Sequence, residues 1–141
     1  MSEWVLLLGG STGHGAATAK RLAQDGFGII AFHFDRGDAK KIAEETITEV
    51  NDMTKGNCHY FNTNAASEES MDRYIPKINE ITNGKPLKLL LHSIAFGTTT
   101  NFFGEKPVTQ RQMDMTVHVM GNSLLYWTCL LYTSPSPRDL P

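Results

Sequence analysis

The sequence is poor in cysteine, in positive charge and in long apolar stretches, and each shortage excludes a class of protein. Its 141 residues contain two cysteines, Cys58 and Cys129, too few for a disulfide framework or a metal cluster. The formal net charge is -2 at pH 7, without the basic excess typical of nucleic-acid binding. The apolar runs are about as long as a strand, whereas a membrane-spanning helix needs about twenty residues. We therefore expect a globular protein with no membrane span and no nucleic-acid partner.

Two further shortages concern location and metals. Ser2 and Glu3 precede an apolar run that leads straight into a glycine-rich loop, a pattern unlike a signal peptide, so we expect a cytoplasmic protein. His14, His33 and His59 have no metal-ligand spacing with one another or with the cysteines, so no metal site is predicted.

The stretch 4–23 predicts a buried strand, a glycine loop and a helix. Residues 4–8 form a continuous apolar run, typical of a strand in a parallel sheet. Gly9, Gly13 and Gly15 follow in the order GxxxGxG. They suit, in turn, a tight turn, the close approach of a pyrophosphate and close packing of helix on strand. The alternative is a strand-to-helix turn that binds nothing.

The first turn of this helix is a predicted anion site, because its backbone N–H groups have no partner within the helix. Ser11 and Thr12 would add hydroxyl donors. The cofactor-binding residues predicted for the loop are Gly9, Ser11, Thr12, Gly13, His14 and Gly15.

Apolar segments at residues 27–36, 58–62 and 87–91 predict three more strands, with helices between them. Ser67 is the predicted N-cap of the third helix, and Pro76 is expected to kink or divide it. Thr109 and Gln112 form a capping-box pattern that opens a helix running to about Trp127. This alternation predicts an α/β fold: the N-terminal part, about four strands, of a Rossmann-type doubly wound parallel sheet. Ligands of such sheets bind at the carboxyl ends of the strands.

Asp35 and Arg36 lie at the end of the second predicted strand, about twenty residues after Gly15, where an acidic residue would accept a hydrogen bond from a ribose hydroxyl. A guanidinium there would instead pair with the 2′-phosphate of NADP. The choice between NAD and NADP stays open, and so does the alternative of a surface Asp–Arg pair.

The GxxxGxG spacing resembles that of the short-chain dehydrogenase/reductase family, and the resemblance covers residues 4–128. It implies an oxidoreductase that takes its hydride from reduced NAD or NADP. It also implies that Asn64 and its neighbour Ala65, after the third strand, contact the adenine, although a loop asparagine is commonly a turn residue.

His92, Ser93 and Ile94 follow the fourth strand and resemble the His-Ser-Ile motif of the enoyl-acyl-carrier-protein reductase branch. Other members of the family have Asn-Asn-Ala-Gly there. The resemblance implies contact with the nicotinamide half of the cofactor, and reduction of a carbon–carbon double bond conjugated to a thioester in fatty acid synthesis. Two alternatives stay open: His92 is a core histidine, or the parent is a keto- or hydroxyacyl reductase of the same family.

Two later regions carry weaker expectations. His118, in the last helix, stands where the family carries a helix-distorting catalytic asparagine. The loop 98–107, with Phe102 and Phe103, is expected to overhang the nicotinamide as part of a substrate wall. A packed hinge or a plug in the core is the alternative for the two phenylalanines.

The catalytic tyrosine of the family is followed by a lysine four or seven residues later, and this spacing is absent here. The tyrosines are Tyr60, Tyr74, Tyr126 and Tyr132, and none fits. No catalytic residue is assigned, and the chain as given is expected to be inactive.

Residues 129–141 contain three prolines, and at least residues 129–139 resemble translated adaptor DNA from sequencing libraries. We expect a truncated NAD(P)-binding domain over 1–128 and a non-native tail over 129–141, the alternative being a native proline-rich terminus. The parent is expected to be a homo-oligomer acting on a small-molecule or acyl-thioester substrate. A non-catalytic dinucleotide-binding module, complete as it stands, is the alternative from another class.

Overall fold

The structure is a computed structural model and describes residues 2–133. Four strands alternate with helices, as predicted: β1 Trp4–Leu8, β2 Gly28–His33, β3 Cys58–Asn62 and β4 Leu89–His92. The helices are α1 Gly13–Gln24, α2 Asp38–Thr54, α3 Glu68–Thr82, α4 Gln110–Val117 and α5 Ser123–Thr133. A π-helical turn, His118–Asn122, joins α4 to α5. The α/β fold is confirmed.

The four strands form one parallel sheet in the order β3-β2-β1-β4. The chain first moves outward from β1 to β2 and β3, and then returns to place β4 on the other side of β1. Leu8, the last residue of β1, pairs with Phe32 on one side and with His92 on the other. This reversal makes the carboxyl ends of β1 and β4 the topological switch point, where open α/β sheets bind ligands.

The core has two layers because alternate residues of each strand face opposite sides of the sheet. One layer contains residues from β1, β2, α1 and α2: Val5, Leu7, Ala19, Ala23, Ile29, Ala31 and Val50. The other combines strand residues with α3, α5 and Ala65 of the loop after β3: Leu6, Leu8, Ile30, Phe32, Ala65, Met71, Ile78 and Trp127. Both faces of the sheet are therefore covered by helices.

Four predicted boundaries differ from the structure. The fourth strand, predicted over 87–91, spans Leu89–His92. The second strand ends at His33, so Asp35 and Arg36 lie in the loop after it. Helix α3 continues through Pro76 without division, because a proline removes a single N–H donor while the apolar face on both sides of it still packs. The last helix extends past Trp127 to Thr133 and contains the π-helical turn. The predicted tail boundary at residue 129 thus falls within α5, and residues 134–141 lie outside the described residues.

Two features are absent from the residues that the structure describes. No helix within 2–133 combines the length and the apolar character that crossing a bilayer needs. In the same range, no group of three or more His, Cys, Asp or Glu side chains is placed to hold a metal ion.

Candidate functional site

The ends of β1 and β4 touch at the switch point. Gly9 has a φ of 94°, and a side-chain carbon there would overlap the carbonyl oxygen of Ser93. The backbone N–H of Ser93 donates to the carbonyl of Leu8 at 2.7 Å. Glycine is therefore needed at position 9 both for its conformation and for the close approach of the two strand ends.

The other two glycines of the motif have different surroundings. A side-chain carbon on Gly15 would overlap the carbonyl oxygen of Gly9, so α1 packs against the end of β1 as closely as the third glycine was predicted to allow. Gly13 has a φ of 55° and open space where a side chain would be. The motif thus holds the helix tightly at Gly15 and leaves the loop open at Gly13.

The first turn of α1 is exposed and has no side-chain cap. Thr12 is the N-cap residue, but its hydroxyl makes no capping hydrogen bond. Thr12, Gly13 and His14 are all exposed. The first N–H groups of an α-helix lack partners within the helix and carry the positive end of its dipole. This end of α1 can therefore accept an anion.

The glycine loop is fixed from the side of β2 and β3. The N–H groups of Gly9 and Gly10 both donate to the carbonyl of Phe32, at 2.9 and 3.1 Å. The hydroxyl of Tyr60 donates to the carbonyl of Gly10 at 3.0 Å. Burial, with a smaller contribution from Cys58, raises the pKa of Tyr60, so its hydroxyl keeps the proton that makes this bond. The loop is held in place before any ligand arrives.

A cluster of polar side chains lies where the glycine loop meets the ends of β2 and β3. The hydroxyl of Ser11 donates to Oδ2 of Asp35 at 2.6 Å, and Nδ1 of His33 lies 2.8 Å from the same oxygen. Asn62 bonds the backbone of Asp35 through its amide oxygen and its amide nitrogen, each at 3.1 Å. The hydroxyl of Ser11 therefore donates its hydrogen to Asp35. Thr12 is the other hydroxyl-bearing residue of the loop, and it remains exposed.

Arg36 points away from this cluster. It is exposed, and its guanidinium carbon lies 4.8 Å from the centre of the Phe34 ring, a cation–π distance. Phe34 itself is 55% exposed. The sequence predicted that either Asp35 or Arg36 contacts the ribose end of the cofactor. In the structure, Asp35 is hydrogen-bonded to Ser11 and His33, whereas Arg36 stacks on Phe34 at the surface.

The loop after β3 contains the predicted adenine contacts. The side-chain oxygen of Asn64 accepts a hydrogen bond from the N–H of Ala66 at 3.0 Å, which is the turn role left open for this residue. Ala65 is buried, and its carbonyl accepts from Nε1 of Trp127 at 2.7 Å. Nε2 of His118 donates to the carbonyl of Ala66 at 2.8 Å. The π-helical turn and α5 therefore hold this loop by two backbone carbonyls.

His92 is half-buried and connects β4 to α5. Its Nε2 lies 2.7 Å from the hydroxyl of Ser123, which donates its only hydrogen to the carbonyl of Val119 at 2.7 Å. Nε2 of His92 must therefore carry a hydrogen and donate it to Ser123. Burial lowers the pKa of His92, partly offset by a hydrogen bond to its own backbone. His92 is therefore a half-buried side chain at the switch point whose Nε2 is hydrogen-bonded to α5.

The remaining motif residues lie along the start of the next loop. Ser93 and Ile94 are half-buried, and Ile94 packs against the core layer that contains Trp127. Farther along, Phe102 is 67% and Phe103 89% exposed. The interpretation of these two phenylalanines as a plug in the core is therefore wrong, because neither ring is buried.

Sequence reasoning missed several residues that build the site. His33, Asn62, Ser123 and Trp127 were not assigned to it, yet each bonds a predicted site residue. His33 carries a signal in the sequence, since it lies two residues before Asp35. Residues i and i+2 face the same side while the chain stays extended. The other three depend on the register of β3 and on the docking of α5, which no local pattern specifies.

The fold is that of the N-terminal part of a Rossmann-type α/β domain, and the match to a family model identifies the family. The profile described as short chain dehydrogenase matches residues 3–134. The chain therefore belongs to the short-chain dehydrogenase/reductase family, whose members are oxidoreductases that generally bind NAD(P)H. Among curated protein sequences, none matches this chain significantly.

Solved structures resemble the chain at low identity. A short-chain dehydrogenase/reductase from Serratia marcescens is 20% identical, with a TM-score of 0.73 over 92% of this chain and 49% of its own. A 3-oxoacyl-[acyl-carrier protein] reductase from Brucella melitensis is 16% identical, with a TM-score of 0.78 over 100% and 53%. The protein ElxO, solved with NADPH bound, is 16% identical, with a TM-score of 0.71 over 92% and 49%. These similarities establish the fold, and the chain spans about half the length of the structures it matches.

Proposed function

We propose that this chain is the nucleotide-binding half of an NAD(P)-dependent oxidoreductase. The observation that carries the proposal is the start of α1, which is exposed, lacks a side-chain cap and lies beside the switch point. Gly13 leaves open space in front of it. A pyrophosphate is the anion that an α/β domain most often binds in this geometry.

The other predicted site residues extend from this point along the carboxyl ends of the strands. Asp35 follows β2 and suits the adenosine ribose, Asn64 and Ala65 follow β3 and suit the adenine, and the segment 92–94 follows β4 and suits the nicotinamide. When bound, the reduced nicotinamide would supply a hydride. This chain supplies binding and orientation, through the backbone N–H groups of α1 and the fixed glycine loop.

The test is titration with NADH and with NADPH, using the complete product of the genomic reading frame. Gly13→Asp places a carboxylate where the pyrophosphate would lie, and we expect it to abolish saturable binding. Gly26→Asp is the matched control, because Gly26 also has a positive φ of 92° and open space but lies beyond the other end of α1. Failure of the unmodified protein to bind either dinucleotide would refute the proposal.

For the reaction, we propose reduction of a carbon–carbon double bond conjugated to an acyl thioester, on the strength of His92, Ser93 and Ile94. A second candidate, reduction of a 3-oxoacyl thioester, is supported by the resemblance to the Brucella enzyme. The two are separated by following NAD(P)H oxidation by the complete protein with a trans-2-enoyl thioester and with a 3-oxoacyl thioester. Turnover of the 3-oxo substrate alone would select the second candidate.

We further propose that residues 129–141 are not native and that the chain by itself is inactive. No tyrosine is followed by a lysine at the family spacing, and the chain covers 49% of the Serratia structure. Genomic DNA across the codon for Cys129 tests this directly. Native sequence running from there to a stop codon after Pro141 would instead support a complete, non-catalytic dinucleotide-binding module.

For the complete protein, we propose a cytoplasmic homo-oligomer. The support for the homo-oligomer is that several apolar side chains are exposed along α4, the π-helical turn and α5: Met113, Met115, Met120, Leu124 and Leu125. Contact with a second copy would remove part of this apolar surface from water. Sedimentation analysis that finds a monomer at micromolar concentration would contradict this part of the proposal.

A further inference from the structure

A buried imidazole lies under the predicted ribose-binding residue. His33, the last residue of β2, is 8% exposed, and its Nδ1 contacts Oδ2 of Asp35 at 2.8 Å. The carboxylate is also largely buried, with its side chain 15% exposed. Ser11 bonds the same oxygen from the glycine loop. One carboxylate oxygen thus receives two hydrogen bonds, from two different elements.

The direction of these bonds follows from proton counting. An ionised carboxylate only accepts, so both Nδ1 of His33 and the hydroxyl of Ser11 must donate. Hydrogen bonds to a charged acceptor are stronger than those between neutral groups. They hold the carboxylate through Oδ2 and leave the other acceptor positions of Asp35 for a further donor. The part of Asp35 that stays exposed is what a ligand would meet.

The imidazole is itself held in place. The Tyr60 ring packs against it, with the ring centres 6.0 Å apart and the planes at 62°, and the hydroxyl of Tyr60 bonds the carbonyl of Gly10. His33 pairs with Asn62 across the strands, and Asn62 bonds the backbone of Asp35. His33 therefore lies at the centre of a network that joins β2, β3 and the glycine loop.

We propose that His33 is a positioning residue that makes the site select NADH over NADPH. By fixing the carboxylate of Asp35 beside the glycine loop, it presents a negative charge and a free acceptor to the adenosine ribose. A ribose 2′-hydroxyl can donate to that acceptor, whereas a 2′-phosphate has no hydrogen to donate and is repelled. This inference rests on the proposed dinucleotide site, and assigns its adenosine end.

Arg36, the next residue in the sequence, does not remove this preference for NADH. Arg36 is exposed and stacked on Phe34, whereas Asp35 is bonded toward the interior. No ion pair between Arg36 and Asp35 is present among the described residues. Arg36 therefore does not neutralise the carboxylate of Asp35.

The experiment measures the Kd of NADH and of NADPH for the complete protein and for two variants at position 33. His33→Leu removes the donor, and we expect the Kd of NADH to rise about tenfold while that of NADPH changes little, so that selectivity falls about tenfold. His33→Asn is the rescue variant, because its amide nitrogen can occupy the place of Nδ1. It should keep the ratio within about threefold of the original. Melting temperatures of all three proteins identify any loss of folding.

If His33→Leu does not fold, Ser11→Ala replaces it, since that change removes the second donor to Oδ2 and is expected to lower selectivity in the same direction. A preference of the unmodified protein for NADPH would overturn the inference and leave the proposed function intact. So would equal selectivity in the original and the Leu variant, or an equal loss in the Leu and Asn variants. Binding of neither dinucleotide to the unmodified protein would refute the proposed function itself.

Discussion

β2 and β4 lie on opposite sides of β1, yet they differ sharply in burial. All six residues of β2 are buried, because β1 and β3 flank it and helices cover both faces. In β4, Leu89 is 39% exposed and the other three residues are half-buried. Among the described residues, β4 pairs with β1 alone.

The composition of β4 does not match its exposure. The segment Leu89–Leu91 is as apolar as the strands of the interior, a composition typical of a parallel strand with a neighbour on each side. An exposed apolar edge is a site for pairing with another chain unless it is covered. Within the described residues, β2 therefore has a paired strand on each side, whereas β4 has one on one side only. Four substitutions or conditions test this contrast.

The largest effect is expected where helix meets strand in the interior. Gly15→Val places its side chain on the carbonyl of Gly9, which has no room to move. We expect the variant not to fold, with a loss above about 4 kcal/mol. Gly13→Ala is the control, since its side chain enters open space and costs about 1–3 kcal/mol for the positive φ alone. Urea unfolding followed by circular dichroism measures both, and equal losses would contradict this account.

The next effect compares the two strands directly. Ile30 in β2 is 0% exposed, so Ile30→Ala should cost about 2–5 kcal/mol through lost burial and a cavity. Leu89→Ala in β4 should cost only about 1–2 kcal/mol, since Leu89 is already partly exposed to water. The free energy of unfolding of each variant is the measurement. A loss at Leu89 as large as that at Ile30 would show that the margin is covered in solution.

A smaller effect is expected at the contact between β4 and α5. Ser123 is 0% exposed and is the hydrogen-bond acceptor for Nε2 of His92. Ser123→Ala leaves that buried N–H unpaired, which should cost about 1–3 kcal/mol. Ser123→Thr keeps the hydroxyl and serves as the control. Similar losses in the two variants would assign the cost to packing.

The smallest effect is a dependence on pH. Burial lowers the pKa of His92 below its ordinary value of 6.5, and burial with Lys77 lowers that of His59. The unfolded chain then takes up protons at a higher pH than the folded one, so the free energy of unfolding should fall as pH drops below about 6.5. Denaturation at pH 7.5, 6.5 and 5.5 measures it. His92→Gln should reduce the dependence of the free energy of unfolding on pH. An unchanged dependence would show that other groups cause it.

Much of the fold was predictable from local patterns. The apolar run 4–8, the glycine spacing and the caps at Ser67 and Thr109 all correspond to the structure, since each depends on residues close in sequence. β3 was predicted with its observed bounds. The end of β2 was not, because the strand stops where pairing with β3 stops, at the partners His33 and Asn62.

The sequence predicted that the site residues lie at the ends of the strands, but not which hydrogen bonds connect them. Asp35 was found from its distance after the glycines, and His33 lies only two residues before it, whereas the bond from Ser11 to Asp35 needs the parallel alignment of β1 and β2. Helix α5 shows the same limit. Its indole and the hydroxyl of Ser123 reach residues 62 and 31 positions away in the chain, and no periodicity in the sequence indicates such pairings.

The contact of Trp127 with Ala65 also gives the molecule a built-in optical reporter. The chain has two tryptophans: Trp4 begins β1, at the amino ends of the strands, and Trp127 bonds the loop that follows the carboxyl end of β3. The indole of Trp127 is fully buried, and its ring centre lies 5.2 Å from that of Phe32. Fluorescence from Trp127 therefore senses the loop that contains Asn64, while Trp4 supplies an internal reference at the far end of the sheet.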